Sequence, residues 1–173
     1  LTATDMAEFS ATQLKGLTTA QIQNLTTENL SALTSDQVAA LSTAQIKALT
    51  ESQLQALTTT DIGELTATQI GALTATQFGS LDTTQLDALT TEQLKGLTSS
   101  QLGALSTEAI AQLTTTVLGA LTATQVKGLT ATQLQAMDST QFTALSSTAL
   151  TGLTATQIGA VSETSLSELD ATQ

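Results

Sequence analysis

The side chains of this sequence that could act as acids, bases or nucleophiles are limited to Ser, Thr, Asp, Glu and Lys. The chain has no His, Cys, Trp or Tyr, and its four basic residues are all lysines. Imidazole bases, thiol nucleophiles and the usual transition-metal ligands are therefore excluded. No lysine or carboxylate stands outside a repeated context, and the Ser and Thr residues at the second position of the repeat described below are explained as helix caps. The sequence predicts no catalytic, cofactor-binding or metal-ligating residue, and the chain is expected not to be an enzyme.

Calcium is the one metal that the carboxylates could still hold. The 15 acidic residues are spread singly, and neither an EF-hand loop nor the glycine- and aspartate-rich nonapeptide repeat occurs. The pairs Asp61 with Glu64 and Asp82 with Asp87 are interpreted as helix-end charges on a solvated face. No cofactor or structural metal is therefore predicted.

The charge balance limits the partners. A net charge of −11 and a pI near 4.1 repel phosphate backbones and anionic lipid surfaces. No apolar run approaches the roughly 18 residues that a membrane span requires. Nucleic acid and membrane insertion are excluded as functions on these grounds, and the partners predicted are neighbouring repeats of the same chain and, by self-association, other arrays.

An eight-residue unit repeats through the whole chain, as in LTATQIGALTATQFGS at residues 65–80. Residues 1–173 divide into 21 complete octads and five further residues without an insertion or deletion. The consensus is Leu-Thr-x-x-Gln-Ile/Leu-x-Ala/Gly, with positions numbered 1 to 8 from Leu1. We interpret residues 1–173 as a single repeat array, and expect it to be a segment of a longer chain.

Positions 1 and 6 are apolar in every octad and are the predicted core, whereas positions 3, 4 and 7 vary and are predicted to be exposed. A continuous helix does not fit, because eight residues advance about 800° and the Leu stripe would drift around the axis. A continuous strand does not fit either, since positions 1 and 6 would lie on opposite faces.

Position 2 indicates where each helix begins. It is Thr in fourteen octads, Ser in five and Asp in three, and these residues share a side-chain oxygen that caps a helix N-terminus. Gln follows three residues later in fifteen octads, which is a capping box, and positions 1 and 6 would form a hydrophobic staple. Each octad therefore predicts one short capped helix.

The positions of the charged residues and glycines in the octad are consistent with a helix that starts after position 2 and ends near position 8. Eleven acidic residues lie at positions 2 to 5, near the helix start, and all four lysines lie at position 7, near its end. The ten glycines occupy positions 7 and 8, where they are predicted to stop the helix.

The fold class predicted is all-α, a solenoid of short capped helices with one helix per eight-residue repeat. A lone octad cannot bury enough surface to offset its ordering entropy, so neighbouring octads must share one core. The handedness and the number of octads per coil stay open, because the substitutions show no convincing period of 16 or 24.

Two functional interpretations remain. Repeats that contact only their neighbours suit a structural spacer, stalk or self-associating scaffold. The alternative is a ligand-binding solenoid, with ice or a polymer held on a threonine-rich face, because Thr-Ala-Thr recurs at Thr2, Thr66, Thr74, Thr122, Thr130 and Thr154.

At residues 65–80 and 121–136 the octad resembles the Leu-Thr-x-x-Gln-Ile/Leu repeat arrays of large bacterial surface or secreted, adhesin-like proteins. The resemblance covers the entire chain, and its motif carries no functional residue. It implies an extracellular or cell-surface location and a spacer or matrix role, which we take as expectations.

Overall fold

The structure is a computed structural model that describes residues 2–173, and these residues form 21 short α-helices with no strand among them. Each helix is four to six residues long and occupies one octad. The all-α solenoid predicted from the sequence is confirmed. The helices are α1 (Ala3–Glu8), α2 (Ala11–Lys15), α3 (Thr19–Gln23), α4 (Thr27–Ser31), α5 (Ser35–Ala39), α6 (Thr43–Ala48), α7 (Glu51–Gln55), α8 (Thr59–Glu64), α9 (Ala67–Ala72), α10 (Ala75–Gly79), α11 (Thr83–Asp87), α12 (Thr91–Lys95), α13 (Ser99–Ala104), α14 (Thr107–Gln112), α15 (Thr115–Gly119), α16 (Ala123–Val126), α17 (Ala131–Ala136), α18 (Ser139–Thr143), α19 (Ser147–Leu150), α20 (Ala155–Ile158) and α21 (Glu163–Ser167).

Every described helix starts at position 3, and the residue at position 2 is its N-cap. In all 21 helices the N-cap side chain accepts a hydrogen bond from the backbone N–H three residues later. Thr66 illustrates the geometry: its Oγ1 lies 3.2 Å from the backbone nitrogen of Gln69, and the Gln69 side chain accepts from the Thr66 N–H. The capping box predicted from the sequence is therefore present.

Each helix ends in a tight turn that connects it to the next octad. The N–H of the next position 1 donates to the carbonyl of position 6, as from Leu65 to Ile62 at 3.3 Å. Leu65 itself is extended, with φ −64° and ψ 139°. Because an extended pair follows each helix, successive helices change direction and wind into a coil.

Three octads complete one coil, a quantity that the sequence left open. Each helix packs on the helix three places along the chain, as α5 does on α8 and α10 on α13. One coil is therefore 24 residues long, and each helix from α4 to α18 lies between a helix of the preceding coil and a helix of the following coil.

The core runs along the axis and is built from positions 1 and 6, as predicted. Position 6 is buried in every octad from Met6 to Phe142, and position 1 is buried from Leu25 to Leu145. These side chains form one continuous hydrophobic cluster. Leu1, the first residue assigned to the core, lies outside the described residues.

The prediction that glycines stop the helices is wrong. Among the described residues no glycine or other residue has a positive φ, so the left-handed cap that favours glycine does not occur. Gly16 and Gly96 have φ near −76° and −78°. Glycine is instead needed where the backbones of two neighbouring coils approach closely, as described below.

Candidate functional site

The side chains that join one coil to the next are the position-5 glutamines. From the fifth octad onward each carries an Nε2 group that donates to backbone carbonyls of the preceding coil, 28 residues back and either 30 or 31 residues back. We call these residues the bridging glutamines: Gln37, Gln45, Gln53, Gln69, Gln77, Gln85, Gln93, Gln101, Gln125, Gln133, Gln141, Gln157 and Gln173.

Gln101 shows the full set of bonds. Its Nε2 donates to the carbonyl oxygens of Ile70 at 2.7 Å and Leu73 at 3.0 Å. Its Oε1 accepts from the backbone N–H of Thr98 at 2.8 Å and from the Thr98 hydroxyl at 3.0 Å. Both amide protons and both oxygen lone pairs are used, so a side chain that is only 1% exposed caps its own helix and ties it to the coil below.

The sequence predicts only the capping role of position 5, and this second role of glutamine is a finding of the structure. A signal was present. Glutamate serves a capping box equally well and is favoured near a helix N-terminus, yet it never occurs at position 5 of this acidic chain. A carboxylate would supply the cap but not the Nε2 donor, and the donor explains the choice of glutamine.

Asp61 takes the glutamine place in its octad, and the interpretation of Asp61 as a charge on a solvated face is wrong. Asp61 is only 6% exposed. Its carboxylate accepts from the Thr58 N–H and hydroxyl and, from the coil below, the Ser35 hydroxyl at 2.9 Å. The shorter side chain thus replaces the bond to the main chain with one to a serine. Asp82 and Asp87 are exposed, as expected.

The glycines allow two coils to approach closely. A Cβ on Gly71 would come within 2.6 Å of the Gly96 carbonyl oxygen, and a Cβ on Gly96 would overlap the Ala67 carbonyl in the coil below. Gly103 and Gly128 repeat this arrangement. Position 7 therefore contacts the following coil rather than facing solvent alone, which corrects the expectation that it is simply exposed.

Apart from Asp61, the charged groups lie on the surface, and the lysines lie near helix ends. Lys15, Lys47 and Lys95 fall in the last turn of their helices, and Lys127 is the C-cap of α16. Lys95 pairs with Glu92 at 2.8 Å on the exposed surface, where such a pair contributes little stability.

Three aspartates have pKa values below the ordinary aspartate value. The Thr84 hydroxyl and then the Gln85 N–H lower the pKa of Asp82. The pKa of Asp170 is lowered first by the Thr172 hydroxyl, and that of Asp5 first by the Thr2 backbone N–H. In each case the hydrogen bonds belong to a helix start or a turn, so the shifts have structural causes.

The threonine pairs proposed for ice or polymer binding are only partly available. The hydroxyl of Thr66 caps its helix and also donates to Gln69, so both of its hydrogen-bonding roles are occupied. Thr68, the second member of that pair, is exposed. The ligand-binding alternative stays a prediction, and its hydroxyls would come from position 4.

Among residues 2–173 no cluster of three or more acidic side chains is arranged to hold a metal ion. No helix in this part of the chain is long and apolar enough to cross a membrane. A surface depression of about 540 Å³ lies over Gly71 between Thr43 and Lys95 and is lined mainly by small residues.

Comparison with known proteins gives one family match. The ALTTAQ repeat family model matches residues 1–35, 23–51, 32–67 and 78–115, which together make up more than half of the chain. No curated protein matches the chain. The overlapping matches support a repeat array.

Proposed function

The chain belongs to the ALTTAQ repeat family, and we propose that it serves as a structural repeat segment of a large extracellular or cell-surface protein. In this proposal it acts as a spacer, stalk or self-associating scaffold, and it has no catalytic activity. Its partners are neighbouring repeats and other copies of the array, without nucleic acid or membrane insertion.

The bridging glutamines are the observation that carries this proposal. Each coil is tied to the one before it by buried side-chain bonds that recur through the described residues, as at Gln45, Gln93 and Gln133. Interactions limited to neighbouring coils let an array change length without a new core. An array whose length can change without a change in its local structure is suited to a spacer, which holds other parts of a protein at a fixed distance.

Composition and charge support the absence of catalysis. The chain lacks His, Cys, Tyr and Trp, and the three aspartates with lowered pKa are held by cap or turn hydrogen bonds. Enzyme sites usually show perturbed groups gathered in a cleft, whereas these three lie in separate octads.

The spacer role is tested by deletions in the repeat register. Removal of residues 65–88, one whole coil, should leave the helical circular dichroism per residue unchanged and shorten the particle in small-angle X-ray scattering. Removal of residues 65–68, half an octad, is the control and should disrupt the helices on both sides. An unchanged particle length after the coil deletion would contradict a spacer.

The location is tested separately. An antibody against residues 1–173 should label intact source cells, and external protease should remove the label. Labelling that requires permeabilised cells would overturn the extracellular assignment.

A further inference from the structure

Two consecutive octads inside the array lack a bridging glutamine. Position 5 is Ala109 in α14 and Val117 in α15, and both side chains are apolar and buried. From the fifth octad onward the other residues that replace glutamine, Asp61, Ala149 and Ser165, each have glutamine in the octads on both sides. Two neighbouring bridges are therefore absent together only at Ala109 and Val117.

The carbonyl groups that these two bridges would reach receive no side-chain donor. The residues 28 positions before Ala109 and Val117 are Leu81 and Leu89, and their carbonyl oxygens accept no hydrogen bond from residues 2–173. At the equivalent place in the next coil, the Leu105 carbonyl accepts from Gln133 at 2.7 Å. Between helices α10 to α12 and helices α13 to α15, the bridge from α13 is thus present, and those from α14 and α15 are missing.

The helices at this boundary also pack unevenly. Among helices three places apart, α11 and α14 are the most loosely packed pair, whereas α10 and α13 are the most closely packed. A Cβ on Gly79 of α10 would lie 2.7 Å from the Ala104 carbonyl oxygen of α13, so these two backbones approach closely. The boundary is therefore held firmly between α10 and α13 and weakly between α11 and α14.

The charges beside α11 and α14 have one sign. The octads of these two helices carry Asp82, Asp87 and Glu108, which are all exposed, and neither octad contains a lysine. Like charges repel over a range of about 10 Å in 0.1 M salt. The missing bridges, the loose packing and the like charges thus coincide at one boundary.

We propose that this boundary is a hinge at which the array opens locally while the coils on both sides stay folded. The close contact of α10 with α13 is the pivot, and α14 and α15 separate from α11 and α12. A repeat array is stabilised by contacts between neighbours, so it opens first where such a contact is weakest. Since each bridge supplies two hydrogen bonds, the loss of two bridges should raise the open population about tenfold or more.

A hinge of this kind gives the array one defined place to bend. The coils before and after it are joined by bridging glutamines, as at Gln69 and Gln141, so bending changes the direction of the array without altering either part. The inference goes beyond the proposed spacer role, because it concerns how the array deforms, whatever the array connects.

Amide hydrogen–deuterium exchange of the whole chain, read by mass spectrometry, tests the hinge. Residues 105–120 contain α14 and α15, and residues 129–144 are the fully bridged octads at the same place in the next coil. After correction for intrinsic exchange rates, residues 105–120 should exchange about tenfold or more faster than residues 129–144. Residues 97–104, which form the pivot side of the same coil, should stay protected.

Ala109→Gln with Val117→Gln supplies the two missing donors. Both helices already have an N-cap hydroxyl, so each new glutamine completes a capping box and reaches a carbonyl of the preceding coil. This variant should slow the exchange of residues 105–120 to the rate of residues 129–144. The matched control, Ala111→Gln with Thr116→Gln, adds two glutamines at exposed sites of the same helices and should leave their exchange fast.

The reverse change should create a hinge at the next boundary. Gln133→Ala with Gln141→Val copies the position-5 residues of α14 and α15 into α17 and α18. It should raise the exchange of residues 129–144 about tenfold or more. Circular dichroism establishes that each variant is folded before the comparison.

Equal exchange of residues 105–120 and 129–144 in the unmodified chain would overturn the proposal. Fast exchange of residues 105–120 that persists after both bridges are restored would also overturn it, and equally fast exchange of residues 97–104 would rule out the pivot. None of these results affects the deletion and cell-labelling tests of the spacer proposal, so the two proposals can be judged separately.

Discussion

Gln101→Glu tests whether the bridging glutamines stabilise the array through their Nε2 group. The substitution keeps the cap, since a carboxylate oxygen can still accept from Thr98. It replaces a donor that lies 2.7 Å from the Ile70 carbonyl oxygen and 3.0 Å from that of Leu73 with a second acceptor. Three oxygens would then face one another at a site that is 1% exposed.

The cost follows from the two protonation states of the new carboxyl. At pH 7, protonating a glutamate of ordinary pKa costs about 3.7 kcal/mol, and the protonated group restores only one of two hydrogen bonds, a further loss of about 1 kcal/mol. This sets a ceiling near 5 kcal/mol. Leaving the group charged loses both bonds and buries a charge, so we expect a penalty of about 3 to 5 kcal/mol at pH 7.

The penalty should depend on pH in a defined direction. Burial beside two carbonyls raises the pKa of the introduced carboxyl in the folded state, so the penalty is largest at neutral pH. It should shrink to about 1 kcal/mol near pH 4, where the carboxyl is protonated in the folded state and mostly protonated in the unfolded chain. Urea unfolding followed by circular dichroism at both pH values, each against the unmodified chain, measures this difference.

Gln13→Glu is the matched control, because Gln13 caps its helix through the same bonds while its Nε2 donates to no carbonyl among residues 2–173. Its effect should stay within about 0.5 kcal/mol at both pH values. If Gln101→Glu is no more destabilising than Gln13→Glu, or if its penalty does not fall with pH, the bridging bonds do not stabilise the array.

Three further predictions concern the glycines, the caps and the aspartates. Gly96→Ala should destabilise the chain by about 1 to 3 kcal/mol in urea unfolding, because its Cβ overlaps the Ala67 carbonyl. Gly16→Ala, whose Cβ meets only its own helix, should be near neutral, and equal effects would refute the close-approach argument. Thr66→Ala should cost about 1 kcal/mol while Thr66→Asp is tolerated; if Asp proves worse than Ala, the capping interpretation is wrong. Hydrogen bonds to the Asp82 carboxylate lower its pKa in the folded state below the ordinary value of 3.8. The stability that these bonds contribute is therefore present above pH 3.8 and is lost as the pH falls through the lowered pKa of the folded state. Asp82→Thr keeps a cap without this titration, so its melting temperature relative to the unmodified chain should rise as pH drops from 5 to 3, and a constant difference would contradict the assignment.

Local features of the fold could be predicted from the sequence because each octad contains its own capping residues and its own apolar core positions. The caps at position 2 and the helix starts at position 3 depend on contacts within a few residues, and the apolar pattern of positions 1 and 6 is visible in every octad. The structure confirms the caps from Thr2 onward and the core at positions 1 and 6 in the interior of the array, whereas only seven of the 21 described helices extend to position 8. The role of the glycines could not be predicted in this way. The preference of glycine for helix C-termini is a local rule, whereas Gly96 is required because Ala67 of another coil lies against it.

The number of octads per coil could not be obtained by looking for a period, and the geometry explains why. Each octad in the interior of the array meets the preceding and the following coil through the same set of contacts, so the interior octads have equivalent surroundings. A substitution accepted in one octad is then accepted in any other, and no residue type needs to recur every 24 residues. Contacts between coils instead join different positions of the octad. A position-5 side chain bonds to carbonyls 28 and 31 residues before it, as Gln101 does to those of Leu73 and Ile70. A position-7 residue contacts the position-8 residue that lies 25 residues after it, as the Gln55 side chain does by donating to the Ser80 carbonyl. Strict octad length preserves these offsets, because an insertion of even one residue would move every later donor away from its acceptor.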